Sequence, residues 1–393
     1  MRKLWSWGTV GVFGLVLCAN TLSAAEDERE IDIPREGEQV APIPVSLEGF
    51  TGEVLNVLNF DLYVAGFRVV PSGAAQYQLS GNNSASLVGR VKDRISGATL
   101  LSREYTGGTA RVQAHSFADE FVGLFPGRMG IARCRIAFRI ESGGGGNSEI
   151  YVADYDGFNA TAVTADKSIG RDPAWIPGKH ALLYTSYRKG SPFIYLHDLS
   201  SGARQVLAGF PGLNALPAAS PDGRRVAMIL SKSGSPDLYV ASLDGTGLRR
   251  LTTTKEDESS PCWSPDGRTI CFSSRAHGRA ALYLISPEGG TMRRLSTPGS
   301  GAATEPSWSP DGKTIAFTAS VGGFTVCTVP ASGGAVTRLV AGEDPSWAPN
   351  SRTILFTRRL GGGRVLSLLD VPTKQVKDVR RFSGSSSQPD WAR

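Results

Sequence analysis

An eight-residue pattern recurs through the C-terminal two-thirds of the chain and limits the folds that the chain can adopt. Its clearest copy is SPCWSPDG at 260–267, and QPDWAR, which begins at Gln388, is a shorter one. The aromatic position or its equivalent falls at Trp175, Ala219, Trp263, Trp308, Trp347 and Trp391. The gaps between these positions are 44, 44, 45, 39 and 44 residues. This period is typical of one four-stranded blade of a β-propeller.

Each octet has a local physical interpretation. We expect its Pro-x-Trp part to open a strand, with the indole filling the space between neighbouring blades. The Ser-Pro-Asp-Gly part predicts a turn, because Pro265 presets φ and Gly267 tolerates the positive φ at the exit. A second strand follows at TICF, 269–272, and the arginines of LRRLT, 248–252, are typical of a charged outermost strand.

The ring of blades is expected to close on itself. RIAFRI at 135–140 and EIYVADYDG at 149–157 have the pattern of a second and a third strand, without an octet before them. The missing first strand is QPDWAR, so the C-terminal strand should pair with the first blade and leave no open edge. Residues 131–393 are therefore predicted to form a six-bladed propeller.

The N-terminal residues predict export. Arg2 and Lys3 precede an apolar run at 10–17, and the small residues at 23–25 suit signal-peptidase cleavage, so we assign 1–25 to a signal peptide. The apolar run is too short to span a bilayer, which argues against direct membrane insertion. Export implies the periplasm. Residues 26–41 are polar and are interpreted as an extended arm.

Residues 42–130 are predicted to form a small α/β domain, which makes the fold class α+β followed by an all-β propeller. Apolar residues from Val54 to Leu62 recur at helical spacing, and Gly66 should end that helix. A second helix over 109–124 is expected to bury Val112, Phe117, Phe121 and Val122. His115 in this helix has no Cys or second His nearby and is interpreted as a surface or packed histidine.

Charge and cysteine content exclude some classes of function. The net charge is +6, and much of the arginine lies in predicted outer strands, so no nucleic-acid partner is needed to explain it. Cys262 and Cys271 lie on two strands of one hairpin, which permits either a cross-strand disulfide in an oxidising compartment or two small buried side chains. No cysteine pair has metal-ligand spacing.

Several stretches resemble the TolB family, the periplasmic component of the Tol–Pal system. They are 115–140, IYVADYDG, ILSKSGSPDLYVASLDG at 229–245 and PDWAR. The resemblance covers nearly the whole mature chain. It implies a monomeric, non-catalytic scaffold that binds the lipoprotein Pal at one mouth of the propeller and TolA through the arm, supporting outer-membrane integrity and constriction at cell division.

The resemblance also suggests partner-binding residues. In the arm these are Ile31, Asp32 and Ile33. On the Pal face they are the residues leading into each octet and the second-to-third-strand loops beside them, namely Arg171, Asp172, Asn214, Leu216, Ser231, Lys232, Glu258, Ser259, Ser273, Arg275, Thr304, Glu305, Glu343, Asp344 and Gln388. Asp172 and Asp344 could instead hydrogen-bond the backbone before Pro, and Lys232 and Arg275 could be solvated loop charges.

Two features depart from the family. Only Gly73–Ser86 stands where family members carry another strand and helix, and REIDIPREG at 29–37 resembles the family's N-terminal box only loosely. The alternatives are a secreted propeller that binds a small ligand or Ca²⁺ at its axis, and a propeller-type hydrolase or lyase. A serine hydrolase would need a G-x-S-x-G elbow, which the sequence lacks, and no cofactor or other metal is predicted.

Overall fold

A computed structural model describes residues 39–142 and 146–392. The predicted signal peptide and the arm residues Ile31, Asp32 and Ile33 lie outside the described residues. Among the described residues, no helix is long and apolar enough to cross a membrane.

The N-terminal region combines one five-stranded sheet with two helices. The strands occur in the order β2-β1-β3-β4-β5, and β1 pairs in parallel with both β2 and β3. Their bounds are β1 Ile43–Glu48, β2 Phe67–Val69, β3 Tyr77–Asn82, β4 Leu87–Asp93 and β5 Thr99–Tyr105. A 3₁₀ turn at Ser72–Ala74 and strand β3 thus occupy the segment that the sequence analysis singled out as short.

Both helices pack their apolar stripe on this sheet. Helix α1, Gly52–Val64, buries Leu58 and Leu62 completely, and Gly66 with φ +83° follows its end, as predicted. Helix α2, Ala110–Gly123, begins where the Thr109 hydroxyl accepts the Val112 N–H at 3.3 Å. Phe117 and Phe121 of α2 are fully buried.

One prediction for α2 was wrong. The Val112 side chain is 47% exposed, because the buried side of the helix is formed by residues such as Ala114, Phe117 and Phe121, and Val112 lies on the opposite side. His115 is 4% exposed, so the packed alternative for this histidine is the correct one.

Six four-stranded antiparallel sheets follow and confirm the predicted propeller. We number the blades 1 to 6 and give their strands from the axis outward. Blade 1 is β29 Ser385–Trp391, β6 Arg135–Glu141, β7 Ser148–Asp154 and β8 Thr161–Ala162; blade 2 is β9 Gly170–Trp175, β10 Ala181–Ser186, β11 Phe193–Asp198 and β12 Arg204–Ala208; blade 3 is β13 Asn214–Ala219, β14 Arg225–Leu230, β15 Asp237–Ser242 and β16 Arg249–Arg250. Blade 4 is β17 Glu258–Trp263, β18 Ile270–Ser274, β19 Ala281–Ile285 and β20 Arg293–Arg294; blade 5 is β21 Ala302–Trp308, β22 Thr314–Ser320, β23 Phe324–Pro330 and β24 Thr337–Ala341; blade 6 is β25 Glu343–Trp347, β26 Thr353–Leu360, β27 Gly363–Asp370 and β28 Val376–Val379.

The ring closes in blade 1 as predicted. Strand β29 pairs antiparallel with β6, with Trp391 opposite Ile136 and Ser385 opposite Glu141. The Trp391 indole is fully buried and donates to the Ser346 carbonyl of blade 6 at 3.1 Å. Sheet closure and interblade packing therefore meet at the same residue.

The predicted start of the first strand in each octet was wrong by a few residues. In blade 4, β17 begins at Glu258 and ends at Trp263, so Pro-x-Trp closes the first strand rather than opening it. Strand pairing already exists at Glu258 and Ser259, before the bulge at the proline. The turn itself is as predicted, because Gly267 has φ +68° and its N–H donates to the Ser264 carbonyl at 2.9 Å.

The strand directions define two faces of the propeller. We call the end where each first strand begins the upper face, and the end that carries the Ser-Pro-Asp-Gly turns the lower face. The N-terminal region packs on the lower face at blades 1 and 6, where Val64 and Ile131 share one core cluster with Tyr155, Ala348 and Trp391. The upper face is therefore opposite to this contact.

A polar network is buried at the contact between the N-terminal region and the propeller. The Asp61 carboxylate lies 2.7 Å from His115 Nδ1 and accepts the Tyr155 hydroxyl of blade 1. The Arg111 guanidinium, whose side chain is 6% exposed, pairs with Asp156. Paired buried charges of this kind are costly to separate, so the network favours one arrangement of the two parts.

Candidate protein-binding face

The upper rim of the propeller consists of one unusual backbone position repeated six times. In each blade the residue before the octet proline has a positive φ, and a bulge separates the two halves of the first strand. The six residues are Asp172, Leu216, Ser260, Glu305, Asp344 and Gln388, with φ between 49° and 54°. Positive φ is uncommon for residues other than glycine, so the surrounding structure must hold each of these residues in place.

Side chains at this position join neighbouring blades. Glu305 Oε2 of blade 5 accepts the Asp344 N–H at 3.0 Å, and Asp344 Oδ2 of blade 6 accepts the Gln388 N–H at 3.2 Å. Gln388 Oε1 of blade 1 accepts the Asp172 N–H at 3.2 Å, and its Nε2 donates to Asp172 Oδ1 at 2.9 Å. We call each of these side-chain-to-backbone hydrogen bonds between neighbouring blades a latch. Each latch satisfies a backbone N–H of the next blade that the bulge removes from the ladder of strand hydrogen bonds.

The latch crowds carboxylates near the axis. Burial, then the neighbouring Glu305 and Glu343 charges, raise the pKa of Asp344 to about 7. The Asp344 carboxylate also accepts the Thr357 hydroxyl at 3.0 Å. The acidic side of the ring therefore carries an unfavourable interaction that protonation of Asp344 relieves.

Arginines on the same face compensate the other acids. Arg359 Nη2 and Arg364 Nε each lie 3.2 Å from the Glu343 carboxylate, and Arg171 Nε lies 3.3 Å from Asp172. Arg139 Nη2 of blade 1 lies 3.0 Å from Glu141. Blades 1, 2 and 6 thus present alternating positive and negative groups around the upper mouth, a pattern that suits a partner with polar and charged contacts.

The axial channel below this rim is lined mainly by prolines and tryptophans of the octets. Its cavity of about 410 Å³ reaches the turn prolines Pro177, Pro221, Pro265 and Pro310. In residues 39–142 and 146–392, no three His, Cys, Asp or Glu side chains group so as to hold a metal ion. The four histidines lie in different elements and have different neighbours, since His115 contacts Asp61, His180 Ser200, His197 Tyr184 and His277 Tyr283.

Comparison with known proteins identifies the family of this propeller. The family PD40, described as TolB beta propeller domain, matches residues 124–393. The chain belongs to the TolB beta propeller family. That match covers the six blades and the end of the N-terminal region.

Curated relatives carry the same family name. The chain is 34% identical over 182 residues to the Tol-Pal system protein TolB of Haemophilus influenzae (strain 86-028NP), covering 45% of this chain and 41% of the relative. It is 32% identical over 177 residues to the Tol-Pal system protein TolB of Histophilus somni (strain 2336), covering 44% and 39%. The matched part thus spans about two fifths of each relative's length.

Solved structures share the fold. TolB from Acinetobacter baumannii superposes with a TM-score of 0.82 at 23% identity, covering 91% of this chain and 98% of that one. A chain of a nidogen/laminin complex also superposes, with a TM-score of 0.54 at 13% identity, covering 66% of this chain and 98% of that one. Since propellers of different context share this architecture, function must be argued from the upper face of this TolB-family chain.

The strand topology brings the predicted partner-binding residues of the propeller to the upper face. They stand in the first halves of the first strands, near the end of β18 in the case of Ser273, or in the loops between second and third strands. Arg171, Leu216, Ser231, Lys232, Ser259, Arg275, Thr304, Glu305, Glu343, Asp344 and Gln388 keep part of their surface accessible, and Asp172 lies beneath them. Their role in partner binding stays a prediction.

Three residues of the predicted set are instead engaged inside the protein. Asn214 donates to the carbonyls of Phe210 and Pro192 at 2.7 and 3.1 Å. Glu258, 2% exposed, accepts the hydroxyls of Thr252, Thr254 and Ser274. Ser273 donates to the Ala303 carbonyl at 3.1 Å. The side chains of these three residues therefore stabilise the loops and blades, and their polar groups are already used in hydrogen bonds within the protein.

The alternatives left open for the acids and the loop cations now divide. Asp344 does hydrogen-bond a backbone N–H, but the N–H belongs to the next blade. Arg275 is exposed, as expected of a solvated loop charge. The Lys232 ammonium lies 4.0 Å from the centre of the Phe210 ring, a cation–π contact that holds it at the mouth.

An apolar site on the same face was not predicted from the sequence. Val321, in the loop between β22 and β23, and Phe324, the first residue of β23, are 41% and 46% exposed. The Arg359 guanidinium lies 5.4 Å from the centre of the Phe324 ring. An exposed aromatic next to arginine is the combination that dominates many interfaces, and the signal was the phenylalanine directly after the Gly322-Gly323 turn.

Proposed function

We propose that this chain is a non-catalytic, periplasmic component of a Tol–Pal system that binds Pal through the upper face of its propeller. Membership of the TolB beta propeller family supports the system, and the predicted signal peptide supports export. The same reasoning leads us to propose that the arm, with Ile31, Asp32 and Ile33, binds TolA. In this role the protein would support outer-membrane integrity and constriction at cell division.

The observation that carries the proposal is the composition of the upper face. Its rim is held rigid by six repeated backbone positions and by latches between blades. Arginine–acid pairs and the exposed Phe324 surround that rim. The described N-terminal region packs on the lower face, opposite to this rim. A preorganised surface of this kind loses little conformational entropy on binding.

The test is a binding measurement between the full exported chain and the periplasmic domain of the host's own Pal. Ser259→Arg and Thr304→Arg add a large side chain at the rim and leave the latches intact. We expect each to weaken binding at least about tenfold, about 1.4 kcal/mol. Ser332→Arg is the matched control, because Ser332 is exposed on the lower face of blade 5.

The outcomes separate cleanly. Loss of binding in both rim variants with binding kept in Ser332→Arg supports the upper face. Equal binding by all variants would move the contact elsewhere, and absence of binding by the unaltered chain would refute Pal as the partner. Circular dichroism melts of each variant ensure that the comparison is made between folded proteins.

The axial Ca²⁺ site is a second candidate, favoured by one observation. Burial, and then the neighbouring Glu305 and Glu343 charges, raise the pKa of Asp344 to about 7, and a cation near these oxygens would relieve the repulsion between the charges. A rise in melting temperature with CaCl₂ but not with MgCl₂, absent in Asp344→Asn, would support it. Identical melting with and without CaCl₂ would refute it.

A further inference from the structure

Two cysteines face each other across the inner hairpin of blade 4. Cys262 of β17 and Cys271 of β18 are directly opposite in the strand register, and both are free thiols. Two residues further towards the turn, Ser264 and Thr269 are also opposite each other, and the Ser264 N–H donates to the Thr269 carbonyl at 2.8 Å. Because bonded and non-bonded pairs alternate in an antiparallel ladder, the cysteines form a bonded pair with Cα atoms about 5.5 Å apart.

The backbone spacing permits a disulfide, since bridged cysteines have Cα atoms about 4.4 to 6.8 Å apart. The Cβ atoms of a hydrogen-bonded pair are about 5.5 Å apart, against about 3.5 to 4.5 Å in a disulfide, so closing the bond draws the two strands together locally. The remaining described cysteines lack such a partner. Cys327 of β23 stands opposite Phe317 and Arg338, and Cys134 precedes β6.

The two thiols differ in access. Cys262 is half-buried and lines the axial cavity of about 410 Å³. Cys271 is fully buried in the cluster between blades 4 and 5. Burial and the hydrogen bond with Cys262 raise the pKa of the Cys271 thiol well above its usual value of 9. A reagent in the channel therefore reaches Cys262 first, and Cys271 can act as the second, resolving thiol.

We propose that Cys262 and Cys271 form a redox-active pair that closes to a disulfide when a small disulfide oxidant enters the channel. The Cys262 thiolate attacks the oxidant's S–S bond, forms a mixed disulfide and releases one thiol. The Cys271 thiolate then attacks Cys262 Sγ and releases the second. In total the two cysteines lose two protons and two electrons, and the oxidant disulfide is reduced to two thiols.

Oxidation would act on the wall of the channel beneath the upper rim. The bond would tie β17 to β18 next to the bulge that separates Ser259 from Cys262 in the register. The positive-φ residue Ser260 is part of that bulge. The inference does not depend on Pal or TolA binding, so its failure would leave the proposed function untouched.

Peptide mapping tests the pair. The full chain is incubated, folded, with oxidised glutathione, the remaining thiols are alkylated, and the protein is digested with trypsin. Cleavage after Lys255, Arg268 and Arg275 separates the two cysteines into peptides 256–268 and 269–275. We expect these peptides to be recovered joined, with a mass lower by two hydrogens than their sum, and dithiothreitol to separate them.

Three controls make the result decisive. Cys327→Ala should keep the linkage, and Cys262→Ala should lose it. In the urea-unfolded chain Cys134 and Cys327 should also appear in disulfides, because the fold that keeps them apart from the other cysteines is lost, although the short loop still favours the Cys262–Cys271 pair. Glutathione that stays on Cys262, linkage of Cys271 to Cys327, or two unmodified peptides would each overturn the proposal, even if the Cys262 variant did not fold.

Discussion

The closure of the ring makes a prediction about Trp391. Its indole is fully buried, shares a core cluster with Tyr155, Ala348 and Ile136, and donates to the Ser346 carbonyl at 3.1 Å. Truncation of a buried tryptophan to alanine costs about 3 to 5 kcal/mol through lost packing and the cavity left behind. The lost hydrogen bond adds about 1 kcal/mol. We therefore expect Trp391→Ala to lower the free energy of unfolding by about 4 to 6 kcal/mol.

Trp263→Ala is the matched comparison. Trp263 holds the same octet position in blade 4, is 5% exposed and donates to the Ala218 carbonyl at 2.9 Å. Its strand pairs with β18, which follows directly in the chain, whereas β29 pairs with β6, about 250 residues away. The two variants should lose similar packing energy, but only Trp391→Ala should loosen the closure.

Two measurements check this reasoning. Urea unfolding followed by far-ultraviolet circular dichroism gives the free-energy loss of each variant. Hydrogen exchange of the β6 amides that face β29 reports on closure, because β6 bonds β29 through Arg135 and every second residue after it. We expect protection at Ala137 and Arg139 to fall in Trp391→Ala and to persist in Trp263→Ala. A loss below about 1.5 kcal/mol for Trp391→Ala, or equal β6 protection in both variants, would refute the closing role of β29.

Two further substitutions probe the latch and the contact of the N-terminal region with the lower face. Because the folded-state pKa of Asp344 is raised to about 7 from 3.8, its contribution to stability is lost as pH rises from about 4 to 7. The free energy of unfolding of Asp344→Asn should therefore rise relative to that of the unaltered chain, by at most about 1.4 kcal/mol per pH unit in that window. A difference that stays constant between urea melts at pH 5 and pH 8 would contradict this. Gly66→Ala should cost more than Gly127→Ala, since both have positive φ (+83° and +69°) but only a Cβ at Gly66 would meet Arg352 Nη2 at 2.6 Å. The positive φ alone costs about 1 to 2 kcal/mol in either variant. Equal losses of melting temperature would therefore show that the Arg352 side chain moves aside at no measurable cost.

Local chemistry explains why the propeller could be predicted from the sequence. Each Ser-Pro-Asp-Gly turn is specified by its own residues, as in Ser264 to Gly267, and the tryptophan spacing counts the blades. QPDWAR could be matched to β6 because a four-stranded blade lacks one strand without it. The parallel pairing of β1 with β2 and β3 depends on contacts distant in sequence, so it could not be predicted from any local sequence pattern.

The sequence predicted which face of the propeller carries the candidate site, but not which of its side chains are exposed. Strand direction alone placed Arg171 and Thr304 on one face. Whether a side chain points outward depends on neighbouring blades, which is why Glu258, bound by three hydroxyls, was taken for a surface acid. Phe324 was missed for the opposite reason, since an apolar residue in a strand pattern is ordinarily assigned to the core.

The latch residues have two roles that a binding experiment must separate. Glu305, Asp344 and Gln388 face the upper mouth, yet each also holds a backbone N–H of the next blade. A substitution at Glu305 that abolishes partner binding would thus report either a lost contact or a loosened blade. Ser259 and Thr304 lie on the same rim and use no side-chain hydrogen bond to join blades in the described structure. Binding losses at these two positions can therefore be assigned to the surface itself.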